Sequence, residues 1–198
     1  RAGDTGCLLV AGYEGTAAGV ADRRDRVAAV LRDAGAEPLG SGPGERWERG
    51  RFAAPYLRDA LLDAGAFVET LETATFWSNL PRLYGAVHDT LTAELTDAGT
   101  PPLVLCHVSH VYPSGASLYF TVVSARRDDP VGDWARVKAA AGDAIVDAGG
   151  TISHHHGVGT EHREWLAAEA GPLGVAALRA VKDAFDPAGI LNPGVLIG

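Results

Sequence analysis

Two apolar runs separated by a short turn constrain the fold more than any other feature of this chain. PLVLCHVSHVY (102–112) and ASLYFTVVSAR (116–126) are rich in β-branched and aromatic residues, and Pro113-Ser114-Gly115 lies between them. Such residues favour strands, whereas proline, serine and glycine favour tight turns. The pattern predicts a hairpin of two antiparallel strands. An antiparallel sheet is therefore the basis of the predicted fold.

The segments on either side of the hairpin show the patterns of further strands and of amphipathic helices. We predict strands at 7–15 and 66–74, and helices at 20–35, 80–98 and 133–150. Ser78 is the predicted cap of the helix at 80–98. This order predicts an α+β fold of the ferredoxin-like type, in which helices cover one face of the sheet.

Other segments give a weaker pattern. GSGPGERWERGR (40–51) is rich in glycine and charge, which predicts a mobile loop or a flap at an active site. Residues 52–65 form either a short helix after Pro55 or an irregular segment. The tail (151–198) shows no further strand, and we predict two short helices there, at about 161–170 and 173–185. We therefore divide the chain into a domain of residues 1–150 and a mainly helical C-terminal segment of residues 151–198.

Composition restricts the classes of function. The chain has 198 residues, of which 46% are hydrophobic, as is typical of a globular protein with a buried core. A formal net charge of -8 argues against nucleic-acid binding, which uses basic surfaces. A small anionic substrate stays compatible with this charge, because a single arginine can bind it locally.

The cysteine and methionine contents bear on the cellular location of the protein and on whether the chain is part of a longer one. Cys7 and Cys106 lie far apart in sequence, so we expect no disulfide framework and a cytoplasmic location. No apolar run has the length of a membrane span, so we expect no transmembrane segment, while association with a membrane surface stays open. The absence of methionine leads us to expect a piece of a longer protein.

The stretch TISHHHGVGTEH (151–162) carries the most unusual chemistry. Each ring of His154, His155 and His156 needs a hydrogen-bond partner when buried, so the triplet is poor core material. In an extended segment His154 and His156 would face one side and His155 the other. The triplet is either a surface or metal-scavenging cluster or a proton-handling group beside a cofactor. Gly157 and Gly159 favour the cofactor, because they let a flat ligand approach the backbone.

Three further candidate functional features also have purely structural explanations. A metal site could recruit His107, His110, His162 and Cys106, but consecutive histidines lack the usual ligand spacing, so we expect no metal. Tyr119, in ASLYF, is a packing residue or a functional phenol. Arg58, in PYLRDAL, forms an exposed ion pair with a neighbour or binds a phosphate or carboxylate.

Taken together, these stretches resemble the C-terminal part of flavoprotein oxidases of the vanillyl-alcohol-oxidase superfamily, and most closely the alkyl-dihydroxyacetone-phosphate synthases. The resemblance covers nearly the whole chain, and the HHHGVG string is its most specific part. The matching segments, in the family's order, are YLRDALLDAG (56–65), FVETLETATFWSNLPRLY (67–84), VYPSGASLYFTVV (111–123), ISHHHGVGTEHREWL (152–166) and LRAVKDAFDPAGILNPGVLI (178–197).

The resemblance implies a fold, a cofactor and residue roles. It implies a substrate-binding domain in residues 1–150 and FAD bound beside His154, His155, His156, Gly157 and Asn192. Tyr119, His155 and His156 would be catalytic, with Tyr119 as the acid/base group, whereas Arg58 and His154 would bind substrate. The implied reaction replaces the acyl group of acyl-dihydroxyacetone phosphate with a fatty alcohol, which forms the ether bond of ether lipids without net oxidation.

One departure separates the chain from another branch of the superfamily. Dehydrogenases of D-lactate and 2-hydroxyglutarate carry a metal-binding strand with two histidines around Gly-Asp-Gly-Asn. This chain has SHVYPSGASLYF, in which His110 falls near the first histidine and Tyr119 replaces the second. The resemblance therefore implies that this metal site has been dismantled.

A second departure concerns the FAD-binding domain. The chain has no glycine-rich pyrophosphate loop, so the resemblance implies that its own N-terminal FAD-binding domain is missing here and that residues 151–198 pack on that domain. The chain alone would then be inactive, and the whole protein could form a homodimer. Two alternatives stay open: an FAD-linked oxidase or dehydrogenase of an alcohol or 2-hydroxy acid, and a non-enzymatic ferredoxin-like module that binds metal through the histidines.

Overall fold

A computed structural model of the chain describes residues 7–197. These residues form two compact units, one that ends at Leu57 and one that begins at Arg58. In chain order, the described elements are α1 (Ala17–Asp33), α2 (Gly42–Gly50), α3 (Ala54–Asp63), β1 (Ala66–Phe76), α4 (Leu80–Asp97), β2 (Leu103–Ser109), β3 (Gly115–Ala125), α5 (Pro130–Asp147) and α6 (Arg163–Phe185).

The second unit is built on a three-stranded antiparallel sheet with the strand order β1-β3-β2. The predicted hairpin is confirmed as β2 and β3. Its turn ends on Gly115, where any Cβ atom would collide with the carbonyl of Thr75 on β1. Glycine at this position therefore lets β3 pair with β1 along its whole length.

Two helices cover one face of the sheet. Apolar residues four apart on α4 and α5 are buried, as the amphipathic pattern predicts. They pack on Leu71 of β1 and on Leu118, Phe120 and Val122 of β3. The predicted α+β fold with helices on one face is confirmed. The helix residues of this core are Leu83, Val87, Leu91 and Leu95 on α4, and Val137, Ala141 and Ile145 on α5.

The other face of the sheet presents the alternate residues. Glu72, Tyr119 and His107 are register partners across β1, β3 and β2, so their side chains share this face. Leu103 and Leu105 of β2 belong to the same face and are 57% and 51% exposed. The uncovered face therefore combines exposed apolar side chains with a row of titratable groups.

The first unit differs from the sequence prediction in two places. The strand predicted at 7–15 is wrong, since residues 7–16 have no regular structure and no described strand of this unit offers a hydrogen-bonding edge. The loop predicted at 40–51 contains helix α2. Pro43 in the first turn favours the start of this helix. An ion pair between Glu45 and Arg49 stabilises its exposed side.

Three later segments of the chain also differ from the prediction or refine it. The ambiguous segment at 52–65 contains helix α3. The cap predicted at Ser78 is wrong, because Asn79 occupies the cap position of α4. The Asn79 side chain makes no capping hydrogen bond, and its Nδ2 donates to the carbonyl of Ala148, at 2.7 Å. The two helices predicted in the tail are confirmed as the halves of α6, which breaks at Gly171 (φ 69°) ahead of Pro172.

Among residues 7–197, no helix combines the length and the hydropathy needed to cross a bilayer.

Cys106 is expected to react slowly with thiol reagents. It lies on β2 with its thiol turned toward the helix-covered core, and burial raises its pKa to about 11. The nucleophilic thiolate is then about 100-fold scarcer at pH 8 than for an ordinary cysteine. Iodoacetamide labelling followed by peptide mass spectrometry should modify the exposed Cys7 first. Equal labelling rates for the two cysteines would contradict this placement of Cys106.

Candidate functional site

A buried carboxylate lies on the uncovered sheet face, on the edge strand β1 and beneath the histidine triplet. The side chain of Glu72, on β1, is only 1% exposed. Its Oε1 accepts a hydrogen bond of 2.9 Å from Ser117 Oγ on β3, whereas its Oε2 has no hydrogen-bond partner among the described residues. A buried charge is costly unless it is paired, so this oxygen needs a cation or a donor beside it.

All three histidines of the triplet surround Glu72. His154 Nδ1 lies 3.5 Å from Oε1, whereas His155 Nδ1 and His156 Nε2 lie 3.1 and 3.2 Å from Oε2. The predicted alternation, with His155 facing away, is wrong. His155 has a φ of 41°, and the amide of His156 donates to the carbonyl of His154, which makes a three-residue turn. This turn brings the three imidazoles to one carboxylate.

Further rings border the triplet. The ring of Tyr119 meets that of His156 edge to face, with centroids 5.7 Å apart. Tyr112 Oη lies 3.2 Å from His154 Nε2, within hydrogen-bonding distance. His110 lies in the segment between β2 and β3, and its ring centroid is 4.6 Å from that of His155. Tyr119 and His156 are thus adjacent, as a shared proton-handling role requires.

Backbone anchors on both sides hold the histidine segment in place. The amide of Thr151 donates to the carbonyl of Ala74 on β1, at 3.0 Å, and Thr73 Oγ1 donates to the carbonyl of Thr151. Glu169, on α6, accepts hydrogen bonds from the Ile152 amide and from Thr151 Oγ1. The triplet therefore rests on a strand and a helix rather than on a free loop.

The C-terminal ending returns to this segment. The amide of Leu196 donates to the carbonyl of Gly159, and Arg163 donates to the carbonyl of Gly194. Gly157 (φ 87°) and Gly159 (φ 58°) have backbone conformations that favour glycine, and the space where their Cβ atoms would lie is open. That space is consistent with the predicted approach of a flat ligand. Asn192 contacts Val195 within the ending.

Asp186 organises the turn of that ending. Its carboxylate accepts hydrogen bonds from the amides of Ile190 and Leu191 and from Lys182 Nζ, which lies 2.6 Å away. The Lys182 hydrogen bond is the largest of the interactions that lower the pKa of Asp186. The DPAGILNPG sequence is thereby closed into a compact turn after α6.

Arg58 lies apart from this cluster in its observed contacts. Its Nη2 is 3.4 Å from Glu69 Oε1, and the Arg58 side chain is 46% exposed. Glu69 and Glu72 are three residues apart on β1, so strand alternation directs them to opposite faces. The structure therefore brings together Tyr119, the triplet and the glycines, but it pairs Arg58 with a different carboxylate.

Several residues of the site lack a sequence signal that singles them out. Glu72 is the most important, and Ser117 and Tyr112 support it and the triplet. One signal for Glu72 exists in AFVETLETATF, where the two glutamates are three residues apart on one strand. Such spacing places one glutamate on each face of the sheet, and so one of them on the face that the helices leave uncovered.

His162 makes stability depend on pH. Burial is the main cause that lowers its pKa, followed by the charge of Lys138, which is paired with Glu161. The unfolded chain then binds the proton more readily than the folded one, so the free energy of unfolding should fall as the pH drops through about 6.5. Urea unfolding at several pH values should show a shallower dependence in His162→Gln. His88→Gln, on α4, is the control, and equal slopes for wild type and His162→Gln would refute the prediction.

The uncovered face fits a planar, partly apolar ring with polar edges. Exposed Leu103 and Leu105 offer apolar contact, and Tyr119 with the triplet offers hydrogen-bonding groups. Open space lies beside the glycines that follow the triplet. This donor set suits the ring system of a flavin. The pyrophosphate end of such a cofactor would need a separate site, such as a glycine-rich loop at a helix start.

Comparison with known proteins agrees with this assessment. Residues 2–196 match the family described as FAD linked oxidases, C-terminal domain. The chain is 35% identical to an alkyldihydroxyacetonephosphate synthase of Dictyostelium discoideum over 96% of its own length, and 32% identical to one of Trypanosoma brucei brucei over 96%. It spans 31% of each of these relatives.

A solved structure shows the same relationship. A structure described as alkyldihydroxyacetonephosphate synthase superposes with a TM-score of 0.65 at 30% identity. The match covers 91% of this chain and 30% of that one. The likeness thus extends over nearly all of the present chain and about a third of each longer relative.

Proposed function

The chain belongs to the family of C-terminal domains of FAD-linked oxidases, and from this premise we propose that it is the substrate-binding part of an FAD-dependent alkyldihydroxyacetonephosphate synthase. Such an enzyme replaces the acyl group of acyl-dihydroxyacetone phosphate with a fatty alcohol. The convergence of the three histidines on buried Glu72, with Tyr119 beside the ring of His156, carries the proposal. The sequence identity to synthases over 96% of the chain supports it.

Tyr119 is the proposed acid/base group of the reaction. Its phenol lies on the uncovered face, next to the ring of His156, which can relay a proton to or from it. His155 and His156 face the carboxylate of Glu72, which balances the positive charge when an imidazole takes up a proton. When bound, FAD supplies a reversible acceptor of an electron pair, and Gly157 leaves room for its ring.

Arg58 is the proposed contact for the phosphate of the substrate. Its ion pair with Glu69 is long and partly exposed, so it is weak and can be exchanged for a stronger one. A guanidinium binds phosphate through two parallel hydrogen bonds. Because β1 is an edge strand, substrate binding would move Arg58 from Glu69 around that edge to the phosphate on the uncovered face. Tyr112 would hold His154 as a second polar contact for the substrate.

The C-terminal segment is the proposed contact with an N-terminal FAD-binding domain of the same protein. Helix α6 has no buried residue, and it and the following turn expose large apolar side chains. Such a surface is typical of an interface. Without that domain we expect the chain to bind FAD weakly and to be inactive. The exposed apolar residues are Leu173, Val181, Phe185, Ile190 and Leu191.

Product analysis of the full-length protein tests the proposal. With acyl-dihydroxyacetone phosphate and a fatty alcohol, we expect the ether product and the free fatty acid in equal amounts, and no stoichiometric hydrogen peroxide. Peroxide or reduced flavin formed from an alcohol or a 2-hydroxy acid, without ether product, would overturn the proposal in favour of an oxidase or dehydrogenase.

A further inference from the structure

We propose that Glu72, His110, His154 and His155 form a binding site for a divalent transition-metal ion of the zinc type. This site goes beyond the ether-forming reaction, which needs no metal for its electron balance. One carboxylate oxygen and three imidazole nitrogens are the donor types that such ions prefer.

The donor atoms lie near the spacing of a metal site. One ligand atom from each residue lies within 4.8 Å of the others. His155 Nδ1 is 3.1 Å from Glu72 Oε2 and 3.2 Å from His154 Nδ1. Neighbouring ligands of a tetrahedral zinc ion, at bond lengths of about 2.0–2.1 Å, are about 3.3 Å apart. Small side-chain adjustments would therefore complete the coordination.

The buried oxygen of Glu72 is an independent sign of a missing cation. Oε2 is enclosed, yet no described N–H or O–H group donates to it. The ring nitrogens of His155 and His156 approach it closely without the alignment of a hydrogen bond. Nitrogens that crowd an anion without donating to it are well placed to share a positive ion with it.

His154 also has the supporting contact that is usual for a ligating histidine. Its Nδ1 faces Glu72, and its Nε2 lies 3.2 Å from Tyr112 Oη. The carbonyl of Tyr112 accepts a hydrogen bond of 3.0 Å from Trp77 Nε1, which fixes that tyrosine. Metal-binding histidines almost always use their second ring nitrogen in this way, because the contact orients the ring.

Backbone strain is found at two of the four proposed ligands. His110 (φ 45°) and His155 (φ 41°) both have left-handed backbone conformations, which residues other than glycine rarely adopt. The two residues lie on separate loops, and their rings meet each other beside Glu72. Strain of this kind persists where the surroundings require one orientation of a side chain. Ligation of a shared ion would supply that requirement.

The proposal changes the roles of two residues, because His154 would ligate the metal instead of contacting substrate and His155 would lose its catalytic role. A metal would hold His155 as a ligand, so that its coordinated nitrogen could not carry a proton. His156 and Tyr119, which lie outside the four-residue set, would remain for proton transfer. The sequence predicts no metal here because consecutive histidines lack ligand spacing, but the turn at His155 removes that objection.

Zinc binding by the full-length protein tests this site. After removal of metals with a chelator, wild type should bind one equivalent of Zn²⁺, measured by elemental analysis and by calorimetric titration. Glu72→Gln and His110→Asn should each weaken binding at least about 100-fold. Asparagine tolerates a positive φ, so His110→Asn should fold even if Glu72→Gln does not. His88→Asn, on α4, is the matched control and should bind like wild type.

Either of two results would overturn the site. One is a wild-type protein that binds no more zinc than His110→Asn. The other is tight zinc binding that survives in His110→Asn and in folded Glu72→Gln. Both readouts are independent of turnover, so they leave the ether-forming proposal untouched.

Discussion

Replacement of Tyr119 by phenylalanine is expected to lower ether formation by the full-length protein about 100- to 10,000-fold. The change removes one hydroxyl group from a residue on the uncovered sheet face, beside His156. Because the ring stays, the packing of β3 should be preserved. The loss should therefore appear in the turnover number, measured with saturating acyl-dihydroxyacetone phosphate and fatty alcohol.

Tyr84→Phe is the matched control for this prediction. Tyr84 lies on α4, where its ring stacks on Phe120 of the helix-covered core. Its hydroxyl is remote from the uncovered face, so activity should stay close to that of wild type. A Tyr119→Phe enzyme whose activity is as high as that of Tyr84→Phe would exclude the tyrosine as acid/base group.

Truncation of Phe120 to alanine is expected to lower the free energy of unfolding by about 3–5 kcal/mol. Phe120 lies on the central strand β3, is fully buried and packs between the sheet and α4. Its removal leaves a cavity under the strand that carries Tyr119. Urea unfolding of the purified chain, followed by tryptophan fluorescence and circular dichroism, measures the change.

Phe76→Ala is the corresponding control. Phe76 ends β1 and is 69% exposed, so its truncation should change stability by no more than about 0.5 kcal/mol. Comparable losses in the two variants would mean that the core does not centre on Phe120.

The fold could be predicted from the sequence where a segment has both a clear apolar pattern and a surface to pack against. The hairpin and the helices α4 and α5 have both a clear apolar period and a surface to pack on. CLLVAGYEG (7–15) has the composition of a strand, but pairing decides whether a strand forms, and no described strand of its own unit pairs with it. Local sequence reports the preference of a segment, whereas the hydrogen-bonding edge comes from the tertiary structure.

The site was predictable in its residues more than in its geometry. The histidine triplet is a candidate because of its unusual chemistry, whereas Tyr119 gains its candidate role from the family resemblance. The orientation of His155 depends on a left-handed backbone conformation that nothing in HHHGVG signals. Glu72 is one of two glutamates in β1, and its importance comes from a fold that brings residues far apart in sequence, such as Ser117 and His154, to it.

The most direct test of the flavin-linked site is the visible absorption spectrum of the full-length protein, recorded for wild type, Tyr119→Phe, His156→Ala and Tyr84→Phe. We predict bound flavin in wild type, shifted flavin bands in Tyr119→Phe and His156→Ala, and wild-type bands in Tyr84→Phe. A full-length protein that neither contains flavin nor binds added FAD would contradict the account, as would identical flavin spectra in all four proteins.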